Sequence, residues 1–297
     1  MDYGRPVCHG GLMSRVVTLP STGSLLAVTD LHGNVADFHA IVARFRSIMD
    51  TQGPRPHLLF CGDLVHGPAI APQAWPEHLG DFYLDQTPRL LAEAQQLQAA
   101  YPQQVHFLLG NHEHAHLGGP RLAKFHADEA AHLERQYASD GFTPLRRWLA
   151  GWPLAAVAPA AGIAFTHAAP HAQIAGPGDL DDLALTGYES VPLADMASTG
   201  PLGALLWART TPAERGFAFL RALHHGCKVA VFGHDIVREG HLVEHEPLLC
   251  ISSSFGCYNG DKVYLEWDLA RPAGSAAEVA RDGLRRLHPD ARPVYRI

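Results

Sequence analysis

The stretch Ser24-Leu25-Leu26-Ala27-Val28-Thr29-Asp30-Leu31-His32-Gly33-Asn34 opens with a short aliphatic run and closes on a carboxylate, an imidazole and a turn. A short apolar run bounded by turn residues is the signature of a strand buried on both faces. The arrangement recurs in order along the chain. Residues 57–61 precede Gly62-Asp63, and residues 105–109 precede Gly110-Asn111-His112-Glu113. Residues 162–165 precede Thr166-His167, and residues 228–232 precede Gly233-His234. Gly-Asp or Gly-His alone carries almost no information. Oxygen and imidazole donors at the ends of successive strands are different, because that is where an α/β fold gathers its active site. The pattern points to a metal-dependent hydrolase.

Between these blocks the periodicity turns helical. Phe38, Ile41, Val42, Phe45, Ile48 and Met49 fall on one stripe. A second helix is expected with Thr87 as cap, Pro88 in its first turn and Leu90, Leu91, Ala94, Leu97 and Tyr101 on its apolar face. A third starts at the capping box Thr211-Pro212-Ala213-Glu214 and stops near Gly226. Residues 121–150 read as two helical pieces broken at Ser139-Asp140-Gly141, and residues 248–252 and 262–267 as consecutive strands. Strands alternating with helices imply a layered α/β (α+β) domain with some antiparallel sheet. The aperiodic stretches 67–84 and 168–203 each leave a site block and are candidate substrate-side loops. The expected organisation is one catalytic domain over residues 13–270 and a short helical C-terminal appendage over 271–297.

The 297 residues are 47% hydrophobic and 18% charged, an ordinary globular balance with enough apolar material for a sizeable core. Lys plus Arg number 23 against 30 Asp plus Glu, a net charge of −7. Such a surface does not attract nucleic acid or anionic membrane, so neither partner is expected and any phosphate must be held by a local site. Cys8, Cys61, Cys227, Cys250 and Cys257 form no Cys-x-x-Cys pair, and residues 1–12 contain no apolar signal core. A cytoplasmic location is the expectation.

Asp30 and His32 alternate around Leu31, so their side chains can leave a strand end on the same side. Asp63 has two oxygens and can bridge two cations; Asn111 offers a neutral oxygen, and His167 and His234 offer imidazoles. This mixed set suits manganese, iron or zinc rather than a thiolate site. Two such cations about 4 Å apart can activate water and clamp a phosphoryl centre. His112, beside a ligand candidate, can reach the same place without ligating, as a general acid must. Glu113 reads as a residue that orients the loop. His114, His116, His171, His224 and His225 read as ordinary loop or helix-end histidines.

Taken together, the blocks resemble the calcineurin-like metallophosphoesterase superfamily, and its phosphoprotein phosphatase branch in particular, including bacterial serine/threonine phosphatases. Leu108-Leu109-Gly110-Asn111-His112-Glu113 is similar to that branch's Asn-His-Glu block. Leu206-Trp207-Ala208-Arg209 resembles its Trp-x-Arg segment, found also in diadenosine tetraphosphatases. Ile236 stands where other branches end a Gly-His-x-His block. Residues 252–258 are weakly similar to a loop that carries an active-site Tyr, here Tyr258. The resemblance covers residues 16–268 and implies two mixed β-sheets packed face to face with flanking helices. It implies Asp30, His32 and Asp63 at a first metal, with Asp63 bridging to a second held by Asn111, His167 and His234. It further implies His112 as proton donor, and Arg209, Asn111 and Tyr258 toward the substrate.

The implied activity is hydrolysis of phosphomonoesters by water activated between two divalent cations, manganese first, with iron or zinc as alternatives. The expected substrate is a phosphorylated protein, at phosphoserine or phosphothreonine, or a small phosphoester. Nucleotide or dinucleoside polyphosphate hydrolysis is the alternative, and a metal-binding module with little turnover is a second. Where the branch reads Gly-Asp-x-Val-Asp-Arg-Gly, this chain has Gly62-Asp63-Leu64-Val65-His66-Gly67-Pro68. His66 replaces the Asp that orients the proton donor, and Gly67 a phosphate-binding Arg. Leu109 replaces another Arg. Asp85 and Arg89, in the long interval before Asn111, are candidates to substitute.

Overall fold

A computed structural model describes residues 14–51, 55–138 and 140–295. Cys8, the N-terminal stretch read for a signal core, and Ser139 lie outside the described residues.

The strands are β1 (Val16–Thr18), β2 (Ser24–Val28), β3 (Pro56–Phe60), β4 (Val105–Phe107), β5 (Ala155–Ala158), β6 (Ile163–Thr166), β7 (Val229–Phe232), β8 (His241–His245), β9 (Leu248–Ile251), β10 (Val263–Asp268) and β11 (Leu284–Arg286). They build two mixed sheets, ordered β1-β5-β6-β7-β9-β8 and β11-β10-β2-β3-β4. The apolar runs before the site blocks are β2, β3, β4, β6 and β7, with ends within two residues of those expected. β2, β3 and β4 run parallel, as do β6, β7 and β9. Their ends, and the polar blocks that follow, therefore lie on one side of the molecule.

Burial alternates along these strands. Leu25 and Ala27 of β2, Ile163 and Phe165 of β6, and Val229 and Val231 of β7 fill the layer between the sheets. Leu26, Val28, Ala164, Ala230 and Phe232 belong to the layer shared with the helices. Both faces are dry, hence the continuous apolar runs. The helices are α1 (Val35–Met49), α2 (Thr87–Ala100), α3 (Asn111–His114), α4 (Glu129–Glu134), α5 (Phe142–Ala150), α6 (Gly178–Asp181), α7 (Gly200–Trp207), α8 (Ala213–Leu223) and α9 (Ala276–Gly283). α1 and α2 pack on β3 and β4, and α8 packs on β7.

Several expectations change. Thr87 is not the cap of α2; Gln86 precedes the first turn, and the Thr87 amide and hydroxyl both donate to Asp85 Oδ1, at 2.9 and 2.7 Å. Thr211 caps nothing, since its hydroxyl pairs with His171 Nδ1 at 2.9 Å and Pro212 precedes α8. Residues 121–128 are not helical. β9 and β10 follow one another in the chain but lie in different sheets. The loop between them is tied to the end of β2: Ser253 Oγ accepts the Thr29 N–H at 3.0 Å, and the Phe255 N–H donates to the Asp30 carbonyl at 3.1 Å. The C-terminal residues, expected as a helical appendage, are helical only in α9 and continue into β11 at the sheet edge. Ala276 and Val279 of α9 are fully buried in the inter-sheet core.

Candidate metal centre

The strand ends meet at a cavity of about 410 Å³ whose floor carries Asp30, His32, Asp63, Asn111, His112 and His234. His167 lies fully buried beside them. The backbone turns sharply to deliver these side chains. Asp30 (φ 53°), His32 (φ 43°), Asp63 (φ 55°), His66 (φ 64°) and His234 (φ 68°) are the non-glycine residues with positive φ among the described residues. That region is uncommon for L-residues and costs on the order of 1–3 kcal/mol where it is strained. At Gly62 (φ 89°) a Cβ would sit 2.7 Å from the Gly110 Cα and 2.8 Å from His167 Nδ1, so only glycine allows β3 to turn here.

Hydrogen bonds then fix which atom each side chain presents. His32 Nδ1 lies 3.0 Å from the Val65 carbonyl, and His167 Nδ1 lies 2.9 Å from the Cys61 carbonyl. A carbonyl only accepts, so both Nδ1 atoms carry the proton and each Nε2 presents a lone pair. His167 Nε2 faces Asn111 Oδ1 at 2.9 Å and Asp63 Oδ2 at 3.5 Å; His32 Nε2 faces Asp63 Oδ2 at 3.6 Å. His234 Nδ1 lies 3.0 Å from the same Asn111 oxygen. The His234 amide donates to both Asp30 oxygens at 3.1 and 3.2 Å, and the His112 amide donates to Asp63 Oδ1 at 3.0 Å. Glu113 orients the turn, accepting the Asp63, Leu64 and Gly110 amides at 2.9, 2.7 and 3.1 Å.

Lone pairs pointed at lone pairs in a dry pocket are unfavourable unless a cation lies between them. Burial pushes the Asp30 carboxyl up to about 7, with Asp63 adding to the rise. Burial, then Glu113, raises Asp63 well above the carboxylate range. Burial also holds His32 and His234 neutral, as metal ligands must be. Donor spacings of 2.9–3.6 Å suit neighbours on a cation with bonds of about 2.0–2.2 Å. The residues thus fit divalent cations. Asp63, His167 and His234 form one close group, and His32, Asp63 and His112 another, with Asp63 shared.

His66 places His112 in a buried chain. His112 Nδ1 is 3.0 Å from His66 Nδ1, His66 Nε2 is 2.9 Å from His116 Nε2, and His116 Nδ1 is 2.9 Å from Glu134 Oε1. With Glu134 ionised the proton positions follow in turn: His116 donates from Nδ1, His66 from Nε2, and His112 from Nδ1. Glu129 Oε2 has no hydrogen-bond partner and lies 3.4 Å from His112 Nδ1 and 3.5 Å from His66 Nδ1. It is the negative charge nearest to a protonated His112. His116, read as an ordinary histidine, is a buried member of this chain.

Arg209 lines the cavity and pairs with Asp235. Arg89 does not reach it; the side chain is exposed and bonds Glu93 at 2.8 Å. Asp85 is engaged with Thr87. Tyr258 is placed away from the cavity, its hydroxyl donating to the Glu77 carbonyl at 3.4 Å and its ring against Tyr295. From that loop Ser252 and Phe255 line the cavity, Phe255 with its ring centroid 4.6 Å from that of His32. Of the two aperiodic stretches, 168–203 supplies Leu193 to the cavity and 67–84 supplies no lining residue. Lys124, Glu129 and Phe255 were not singled out in the sequence; only for Phe255 was there a signal, the loop resemblance around it.

A family model described as calcineurin-like phosphoesterase matches residues 23–272. No curated protein matches. Among solved structures, a protein serine/threonine phosphatase from Saccharomyces cerevisiae with similarity to human phosphatase PP5 superposes with a TM-score of 0.58 at 18% identity, over 85% of this chain and 76% of that one. A cold-active protein-tyrosine phosphatase of a psychrophile, Shewanella sp., gives 0.54 at 14% identity, over 89% and 83%. A putative diadenosine tetraphosphatase gives 0.45 at 22% identity, over 86% and 94%. At these identities the likeness is one of fold.

Proposed function

The chain belongs to the calcineurin-like phosphoesterase family, and from that premise we propose a dinuclear phosphomonoesterase whose substrates are phosphoserine and phosphothreonine in proteins. The observation that carries this is the charge at the cavity mouth. Of the cations that line it, Arg121 pairs with Asp128 and Arg209 with Asp235, while Lys124 has no carboxylate partner. So little free positive charge suits one phosphoryl group rather than a polyphosphate chain. The rim is also apolar: Leu193 and Ile236 line the cavity while 45% and 37% exposed, a surface that suits peptide flanking a phosphorylated side chain.

Asp30, His32 and Asp63 would hold one cation, and Asn111, His167 and His234 a second shared through Asp63. The mixed nitrogen and oxygen set favours manganese, with iron or zinc as alternatives. Such cations, when bound, supply charge neutralisation at the phosphoryl oxygens and lower the pKa of water. His112 delivers a proton to the leaving alkoxide, with Glu129 as the counter-charge. Arg209 turns from Asp235 to the phosphoryl oxygens.

The test is a side-by-side assay of a phosphoserine peptide and diadenosine tetraphosphate with Mn²⁺, with and without chelator. Faster hydrolysis of the peptide, abolished by chelation, is expected. Preference for the dinucleotide would replace this assignment with polyphosphate hydrolysis. Metal retention without hydrolysis of either would leave a binding module.

A further inference from the structure

Neither position that the family resemblance marks for a phosphate-binding arginine can carry one here. A Cβ at Gly67 would lie 2.3 Å from the His32 carbonyl oxygen and 2.7 Å from Asp85 Oδ1, so no side chain fits. Leu109 is fully buried in the helix-side core. A cation for the phosphoryl group must therefore come from another element, and residues 121–124 line the cavity together with Arg209.

Lys124 has the required placement. Its ammonium lies 4.1 Å from the centroid of the Phe255 ring, and that same ring packs against His32. Lys124 lines the same cavity as Asp30, Asp63 and Arg209. Among the described residues its ammonium makes no hydrogen bond or ion pair, unlike the guanidinium groups of Arg121 and Arg209. Two cations lining the cavity that holds the metal-ligand candidates give an anion entering it two positive partners. The backbone beneath Lys124 is fixed, because the amides of Lys124 and Phe125 both donate to Glu129 Oε1, at 3.0 and 2.8 Å. Burial lowers the Lys124 pKa, and the charges of Glu129, Asp63 and Asp30 offset that only in part.

We propose that Lys124 is the phosphate-binding cation of this site, gripping with Arg209 the phosphoryl oxygens that positions 67 and 109 leave without a partner. The proposal rests on the phosphomonoesterase assignment for its substrate, but not for its test. Binding of inorganic phosphate to the Mn²⁺-loaded protein, measured by titration calorimetry, reads the grip without turnover. Lys124→Gln should bind phosphate about ten- to a hundredfold more weakly, the scale of one charge-assisted hydrogen bond. Its metal content should match wild type and its melting temperature should change little, because the ammonium's internal contact is the Phe255 ring face. Lys124→Arg should retain most of the affinity. Wild-type affinity in Lys124→Gln, equal losses in the Gln and Arg variants, or no phosphate binding by the loaded wild type would each overturn the proposal. Lys124-dependent binding without hydrolysis of any phosphomonoester would leave the phosphate site standing and refute the assigned activity instead.

Discussion

Asp63 carries the most conflict of any side chain in the centre. It sits at φ 55°, is buried, faces two imidazole lone pairs and shares its pocket with Glu113. Without a cation, its raised pKa means that ionising it costs folding energy at any pH above the folded value; each pKa unit is worth about 1.4 kcal/mol. Asp63→Asn tolerates the backbone and keeps an acceptor for the His112 amide, yet removes the charge. In chelator at pH 8 the variant should be more stable than wild type, measured by denaturant titration. With Mn²⁺ it should bind fewer than two ions and lose roughly 10²-fold or more in turnover, the scale for groups that touch the reacting centre. Lower stability of the metal-free variant would show that the carboxylate is not under electrostatic strain. These ligand candidates could be picked out because residue type and strand-end position both point to them. Their left-handed backbone could not, since no letter in Asp30-Leu31-His32 or Gly233-His234 signals a positive φ.

At the scale of elements, strands were legible and helix starts were not. A strand buried on both faces announces itself by composition. Thr87 and Thr211 look like caps, but their hydroxyls are drawn to Asp85 and His171, partners that local sequence does not reveal. The segment between α3 and α4, read as helix from residue 121, is not helical up to residue 128, and its position is decided by what docks it. That anchor is Glu129 at the start of α4, whose Oε1 holds the Lys124 and Phe125 amides while Oε2 faces His66 and His112. Glu129→Gln keeps the amide acceptor and removes the counter-charge. Turnover of an alkyl phosphate should fall about tenfold or more, with a smaller loss on p-nitrophenyl phosphate, whose leaving group needs little protonation. Equal losses on both substrates would mean that Glu129 acts through Lys124 alone.

The whole molecule is clasped at Asp37, in the first turn of α1. It is buried and receives Lys262 Nζ at 2.7 Å, His288 Nε2 at 2.6 Å, Asn34 Nδ2 at 2.8 Å and the Ser254 hydroxyl. Those partners come from the turn before α1, the loop before β10 and the chain after β11. Burial alone would raise the Asp37 pKa, but the Lys262 charge and these hydrogen bonds outweigh it and hold the carboxyl low. A depressed carboxyl stabilises the fold above its unfolded pKa of about 3.9, and that contribution is lost as pH falls through the folded value. Asp37→Asn strands the buried Lys262, so it should cost about 3–5 kcal/mol at pH 7, with the deficit shrinking as the pH falls below about 4. Denaturation midpoints across that range check this; a deficit independent of pH would assign the effect to packing. No helix among the described residues is long and apolar enough to cross a membrane. The order of pairing also bears on how the chain is made. β2 lies between β3 and β10, and the Asp30 carboxylate receives the His234 amide across 204 residues. β10 is synthesised long after β2, β3 and β4, so in that interval the nascent sheet carries a bare, apolar edge, the kind of surface that chaperones shield.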